Sequence, residues 1–309
     1  MRKRYSKKGC QHLLQGRRQV YEFIMKYHVE FGVERMCRVF RVSRSGYYDW
    51  QKRKPSTRQI ETEEITAEIR RVYKLSKNRY GSPKITNELV SNGWKISRPR
   101  VARIMRFNGM RSIISKKFKV NTTDSSHDFP VVKNHLNREF TALRPAEKWV
   151  SDITYISTAQ CWLYLTIVMD LFDRKIIGWS LSTDMTTENS ILSAWKMAIL
   201  NRPITQQLIF HSDRGVQYAS HIFRVELEKH SVIQSMSRKG NCWDNAVAEN
   251  YFKILKSEMV YQSKYISILQ AKSEIFEFIE IWYNRQRKHS YLGYRTPDEY
   301  SKTNYSKCA

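Results

Sequence analysis

"KWVSDITYISTAQCWLYLTIVMDLFDRKIIGWSLS", residues 148–182, decides the fold. Its first piece, KWVSDITYIS, alternates apolar and polar side chains with the two-residue period of a strand. CWLYLTIVMDLF and KIIGWSLS follow as two more β-rich runs, joined by a turn at Asp173-Arg174. Asp170 and Asp173 read as hairpin-turn residues. Helix and strand then alternate. TTENSILSAWKMAIL is a helix capped by Thr186 or Thr187, QLIFHSD a short buried strand, SHIFRVELEKH a helix, VIQSMS a strand, and DNAVAENYFKILKSEM a helix with Asp244 as N-cap. A last helix, ILQAKSEIFEFIEIWYNRQRKHS, precedes a polar tail. Three strands followed by alternating helix and strand predict a mixed α/β sheet with helices on its faces.

Upstream of this sheet the pattern is helical. RRQVYEFIMKYH places Val20, Phe23, Ile24 and Tyr27 at helical spacing. A short helix through Met36, Val39 and Phe40, a three-residue turn and a second helix capped by Ser43 give the layout of a helix-turn-helix, with Arg44 and Tyr47 as candidate DNA contacts. KRKPSTRQ, 52–59, reads as a linker, and ETEEITAEIRRVYKLS as a helix with acids in its first turn. YGSPKITNELVSNG offers Ser82 as N-cap, Pro83 at the first helical position and Gly93 as a stop. ISRPRVARIMRFNG repeats that logic with Ser97 and Pro99. Its Arg98, Arg100, Arg103 and Arg106 are candidate phosphate contacts beside a Val101, Ile104, Met105 stripe. The expected domains are therefore 1–55 and 56–114, both helical and DNA-binding, a linker 115–141, and an α/β unit 142–305. Within that unit the core runs over about 145–260, with a C-terminal helix and tail at 263–305.

Charge follows the same division. The 309 residues carry a net charge of +25; residues 1–140 contribute +21 and residues 141–309 only +4. A basic N-terminal half points to a polyanion, and the nearly balanced half to another task. A basic ribosome-associated protein is the bland alternative for such a charge. No apolar run reaches the roughly 18 residues of a membrane span; the longest, 161–172, is interrupted by Asp170. The N-terminus lacks the apolar segment of a signal peptide, so a cytoplasmic protein is expected. Five scattered cysteines (Cys10, Cys37, Cys161, Cys242 and Cys308), without a C-x-x-C pair, read as reduced thiols.

Three acids stand apart in so basic a chain. Asp152 sits inside an apolar strand, where an acid is costly unless paired or bound to metal. Asp213 ends the strand LIFHSD, at the carboxyl end where working acids of α/β sheets lie. Glu249 is on the helix after Gly240-Asn241, and Lys256 lies two turns further along the same face. Two strand carboxylates and one helix carboxylate can converge on Mg²⁺, a hard ion suited to phosphoryl chemistry. Taken singly, each acid is as well read as a satisfied structural or solvated side chain.

The motifs WVSDITYI, HSDRGVQY, SRKGNCWDNAVAENYFKILKSE and YNRQRKHSYLGYRTPDEY, with VSRSGYYDW and YGSPKI upstream, resemble the DDE-type insertion-sequence transposases, specifically the downstream-frame (OrfB-type) proteins with a retroviral-integrase-like core. The resemblance covers nearly the whole chain. It implies a ribonuclease-H-like core and Asp152, Asp213 and Glu249 as catalytic metal ligands for Mg²⁺ or Mn²⁺, two ions in the active complex. Lys256 is implied at the DNA. It further implies DNA cleavage and joining on element-end and target DNA, a homo-oligomer on DNA, and an upstream-frame partner or fusion supplying the leucine heptad that this chain does not show. A non-catalytic DNA-binding regulator would need only the first 115 residues. A structure-specific nuclease on the same fold would cut without joining.

Overall fold

The computed structural model describes residues 16–113 and 131–305, without the side chains of Cys242 and Tyr305. Cys10, Cys308 and most of the expected linker lie outside the described residues. Residues up to Glu68 and residues from Ile69 form two compact units.

In the first unit, α1 (Arg17–Phe31), α2 (Val33–Phe40) and α3 (Arg44–Lys52) enclose Val20, Ile24, Met36, Cys37 and Tyr47. Ser43 caps α3, its hydroxyl accepting the Gly46 N–H at 2.9 Å. The three-residue turn between α2 and α3 is present. α4 (Thr57–Leu75) runs from the first unit into the second. It starts inside the expected linker, which puts its acids past the first turn.

The second unit continues with α5 (Ser82–Ser91) and α6 (Arg98–Phe107). The N-cap of α5 is Gly81 rather than Ser82, while Ser97 holds the N-cap position of α6 without a side-chain bond. Then come β1 (Lys148–Ser157), β2 (Trp162–Asp170) and β3 (Ile176–Ser182) as an antiparallel meander. α7 (Ser193–Asn201) is entered through a π-helical turn, Glu188–Leu192. β4 (Ile209–Ser212) follows, then the short α8 (Val216–Ala219), α9 (His221–Lys229) and β5 (Ile233–Met236). α10 (Ala246–Glu258) leads to α11 (Ile268–Phe276) and α12 (Pro297–Tyr305). The sheet order is β3-β2-β1-β4-β5, with β4 and β5 parallel to the central β1. This is the mixed five-stranded, ribonuclease-H-like sheet expected from the sequence.

Trp149, Trp195, Phe210, Tyr218 and Phe223 fill one face of the sheet. A Cβ at Gly178 would overlap the Ala194 carbonyl and the Ala198 amide, so β3 and α7 meet backbone to backbone there. Against the other face lie α10, packed on β1, and the segment after α11, packed on β3.

Three local readings are corrected. Asp170 and Asp173 do flank the β2–β3 turn, but both are fully buried and share Arg202 at 2.7 Å each. The single helix expected over 268–290 is α-helical only to Phe276 and then π-helical over Glu277–Gln286. That segment is held by side chains: Asn284 pairs with both the N–H and C=O of Ile176, and the Trp179 Nε1–H donates to Glu280. The expected threonine cap of the π turn before α7 is present: Thr187 holds the N-cap position, and the Thr186 hydroxyl accepts the Asn189 N–H at 3.4 Å while Asp184 accepts the Thr186 N–H and hydroxyl. Residues 131–141, expected in a linker, pack on the core, with Leu136 buried and the Ser235 hydroxyl accepting the His135 and Leu136 N–H groups.

Candidate active site

The central strand presents Asp152 partly buried and opposite Ile167 of β2. Its carboxylate accepts the Ile153 N–H at 2.9 Å. Beside it, the Ser151 hydroxyl donates to the Ile167 carbonyl at 2.7 Å, so the Tyr218 hydroxyl must be the donor in the 2.8 Å bond between the two hydroxyls. Asp213 is the first residue past β4. Its Oδ1 accepts the Gly215 N–H at 2.9 Å. A Cβ on Gly215 would stand 3.1 Å from that oxygen, so the turn is tight because residue 215 has none. Glu249 is in the first turn of α10, 3.9 Å from Lys253.

These acids act on one another. The Asp152 carboxyl is held well above its ordinary range, by burial first, then by the charge of Asp213, with Glu249 adding; the Ile153 N–H and Lys256 oppose. Burial and Asp213 likewise raise Glu249, against Lys253. The Lys256 ammonium is lowered by burial, with Asp152 opposing. Tyr218 titrates far above its usual value through burial and the charges of Asp213 and Asp152. The three acids that the sequence singled out therefore share one electrostatic neighbourhood with Lys256. Among the described residues, no three carboxylate, His or Cys side chains are drawn into a ready-made cage for one ion. The set of oxygen donors still fits a hard divalent cation: the donors repel each other and gain from a positive charge between them.

The turn leading to α10 is pinned by residues that the sequence reading did not assign to this task. Asp244 is not a helix cap. It is fully buried in a 3₁₀ turn, where it accepts from Asn134 Nδ2, Arg138 Nε and three Arg238 donors at 2.8–2.9 Å. These bonds hold its carboxyl well below the usual range. Arg138 is remote in sequence, so spacing held no signal for the pair. His211 bridges β4 and β5, its ring nitrogens bonded to the Ser235 and Ser237 hydroxyls; burial pushes it down to about 4, so it is neutral. Arg214 donates from Nε to the Ser237 carbonyl at 2.7 Å, closing the turn after Asp213 onto the same loop. Trp243 stands exposed between these anchors.

The expected DNA contacts divide. On α6, Arg98, Arg103 and Arg106 are exposed and Arg100 is partly buried. Arg44 is exposed and pairs with Glu34 at 3.2 Å. Tyr47 is 1% exposed, ringed by Tyr21, Tyr48 and Trp50, and is corrected to a core residue of the three-helix unit.

Two segments match Integrase core domain families, residues 142–242 and 249–304, and residues 60–118 match an HTH-like domain. The chain is 39% identical over 286 residues to "Transposase InsF for insertion sequence IS3A" of Escherichia coli (strain K12), covering 92% of this chain and 99% of that relative. The chain belongs to the IS3-type insertion-sequence transposases. The transposase is also 39% identical over 262 residues to the "Insertion element IS600 uncharacterized 31 kDa protein" of Shigella sonnei, covering 85% of this chain and 96% of that one. Among solved structures it resembles the HTLV-2 integrase catalytic core domain in complex with magnesium, at 18% identity and a TM-score of 0.40, over 51% of this chain and 97% of that one. The transposase acts in DNA transposition and is a polynucleotidyl transferase of the DDE type. No helix among the described residues is long and apolar enough to cross a membrane.

Proposed function

We propose that Asp152, Asp213 and Glu249 form the catalytic triad of this transposase and bind Mg²⁺ or Mn²⁺, as two ions in the active complex. The observation that carries this reading is the mutual charge coupling of Asp152 in the middle of β1, Asp213 just past β4 and Glu249 in the first turn of α10, with Lys256 feeling the charge of Asp152. Ions held by Asp152, Asp213 and Glu249 would supply the positive charge that favours a charged attacking oxygen and a charged leaving oxygen.

The reaction runs in two displacements. In the first, a water oxygen attacks phosphorus at the element end, the P–O3′ bond breaks, and the element strand keeps a 3′-hydroxyl while the flank keeps a 5′-phosphate. In the second, that 3′ oxygen attacks a target phosphodiester in line, a new P–O3′ bond forms, and the target strand leaves with its own 3′-hydroxyl. The chain's residues hold the carboxylates apart and fixed: the Gly215 N–H at Asp213, the Ile153 N–H at Asp152 and the Asp244 anchor before α10. Lys256 meets a phosphate of the bound strand. Arg98, Arg100, Arg103 and Arg106 on α6, with Arg44, grip the element-end duplex. The chain acts in the bacterial cytoplasm at the nucleoid, as a homo-oligomer on two element ends, with an upstream-frame partner or fusion.

Purified transposase, Mg²⁺ and labelled DNA bearing the terminal inverted repeats test this. Asp152→Asn, Asp213→Asn and Glu249→Gln should each abolish metal-dependent cleavage and flatten the rise in melting temperature that Mg²⁺ gives the wild type, while repeat binding persists. Near wild-type cleavage by Asp213→Asn would overturn the assignment.

A further inference from the structure

The segment joining α4 to α5 is driven into the core. Arg79 is 9% exposed and Tyr80 is 3% exposed. The Arg79 Nε–H donates to the main-chain carbonyl of Glu258, the last residue of α10, at 3.2 Å. Its guanidinium lies over the rings of Trp282 and Phe278, 4.6 and 5.3 Å from their centroids. The Tyr80 hydroxyl donates to the Gln286 carbonyl at 3.1 Å and accepts the Lys288 N–H at 2.9 Å. Glu258 is gripped from its other side, by an Arg287 fork and by the Trp282 Nε1–H at 3.0 Å. The chain leaving α6 closes the joint: the Ser112 hydroxyl donates to the Arg79 carbonyl at 2.8 Å, and the Ile113 N–H to the Asn78 carbonyl at 3.2 Å.

Stability alone does not ask for an arginine here. A buried cation carries a desolvation cost that apolar packing avoids, whereas its planar, directional donors fix one geometry. The helix it fixes is the one that carries Glu249 and Lys256. Nine residues separate Glu249 from Glu258, about 13 Å at the rise of an α-helix. The frame that carries the α6 arginines thus meets the end of the catalytic helix directly through the Arg79–Glu258 bond, and indirectly through Trp282 and Arg287, which hold the Glu258 carboxylate and lie in or beside the segment that Arg79 and Tyr80 grip.

We propose that Arg79 and Tyr80 are positioning residues that hold α5 and α6 at a set distance from α10, so that the phosphodiester cut lies a fixed number of base pairs from the sequence gripped by α6. The proposal rests on the functional reading above, in which α6 binds the element end and the three acids cut it. It assigns the joint a role in where DNA is cut rather than in how tightly it is bound.

The test uses the full chain with Arg79→Lys and Tyr80→Phe, singly and together, because both keep size and most packing. The 3′ ends produced on a labelled duplex carrying the element's terminal repeat are mapped at single-nucleotide resolution. Repeat affinity, melting temperature and Mg²⁺-dependent nicking of DNA lacking the repeat are measured alongside. Expected for the double variant is cleavage spread over neighbouring phosphodiesters and slowed at least tenfold at the wild-type position. Repeat affinity should stay within twofold, and nicking of the other DNA at the wild-type rate. A single sharp cut at the wild-type place and rate overturns the proposal. So does an equal loss on both DNAs, which marks damage to α10 itself. Two controls separate this from failure of the functional reading: wild-type cleavage by Asp213→Asn, or unchanged repeat binding by Arg103→Ala with Arg106→Ala, would sink that reading instead.

Discussion

The Asn245 side-chain amide donates to the main-chain carbonyl of Ser151 at 3.1 Å, tying the residue that opens α10 to the residue before Asp152. One hydrogen bond thus links the strand that carries one acid to the helix that carries another. Asn245→Ala should cost about 1 kcal/mol of stability, the usual worth of such a bond. It should cost more in rate, because displacing a catalytic group by about 1 Å can lower a rate about 100-fold. Asn245→Asp should be worse than Ala, since it sets a carboxylate oxygen against a carbonyl oxygen with no proton between them. Single-turnover cleavage beside thermal melting checks this; equal, near wild-type rates in both variants would refute it.

Arg202 lies between Asp170 and Asp173, 2.7 Å from each, with both acids fully buried. Asp170 also accepts the Ala146 N–H and the Trp149 indole N–H, so the cluster locks the start of β1 to the end of β2. Arg202→Met leaves two carboxylates in the core without a cation. Breaking a buried pair in this way costs about 3–5 kcal/mol. Urea denaturation should show a lower midpoint with an unchanged slope, and a loss below about 1 kcal/mol would mean that water reaches the cluster.

The same cluster shows what the sequence made legible. Alternation over 148–182 revealed the three strands because strand period is written in neighbouring residues. Asp170 and Asp173 were placed at the right turn, but Arg202, their partner, is about 30 residues further on, and no local pattern announces such pairing. Tyr47 lies on a helix whose aromatic residues all suit either a core or a DNA face. So small a three-helix unit spends its aromatics on the core. In 268–290 the apolar spacing serves α and π turns alike, and the choice is made by Asn284 and Glu280 bonding to β3. The grouping of Asp152, Asp213 and Glu249 is suggested by the family motifs, since each acid taken singly suits a structural or solvated reading as well. The loop that steadies Glu249 was not legible, because Asp244 draws on Arg138 from far upstream.

Lys84, in the first turn of α5, sits 4.9 Å over the Tyr80 ring. Burial, with help from Arg287 and against Glu258, pulls its ammonium from 10.5 down to about 7. The folded value lies below the unfolded one. Between pH 7 and 10.5 the unfolded chain therefore holds a proton that the folded chain has released, and stability rises with pH across that window. At about 1.36 kcal/mol per unit, reduced for partial solvent access, the contribution is about 2–3 kcal/mol. Lys84→Met should be more stable than wild type at pH 7, and the difference should shrink towards pH 10. Urea midpoints of both proteins at the two pH values decide it, and a difference that does not change with pH would exclude the shift.

Lys256 and Lys253 share α10, yet they face different surroundings. Lys253 is exposed and meets Glu249 only at 3.9 Å, an i,i+4 pair worth about 0.3–0.5 kcal/mol. Lys256 is partly buried and feels the charge of Asp152. If Lys256 touches the strand beside the scissile phosphate, Lys256→Ala should slow joining of a pre-cleaved 3′-hydroxyl end at least tenfold, about 1.4 kcal/mol of transition-state stabilisation. Lys256→Glu should be slower still, because a fourth carboxylate near Asp152 repels both the phosphate and the other acids. Lys253→Glu, at an exposed position, should change stability by about 0.5 kcal/mol or less and leave most of the joining activity. Strand transfer by each variant, with thermal melting in parallel, separates the two lysines. Wild-type joining by Lys256→Glu at an unchanged melting temperature would make Lys256 a solvated side chain like Lys253, and would leave the roles of Asp152, Asp213 and Glu249 to be judged on their own variants.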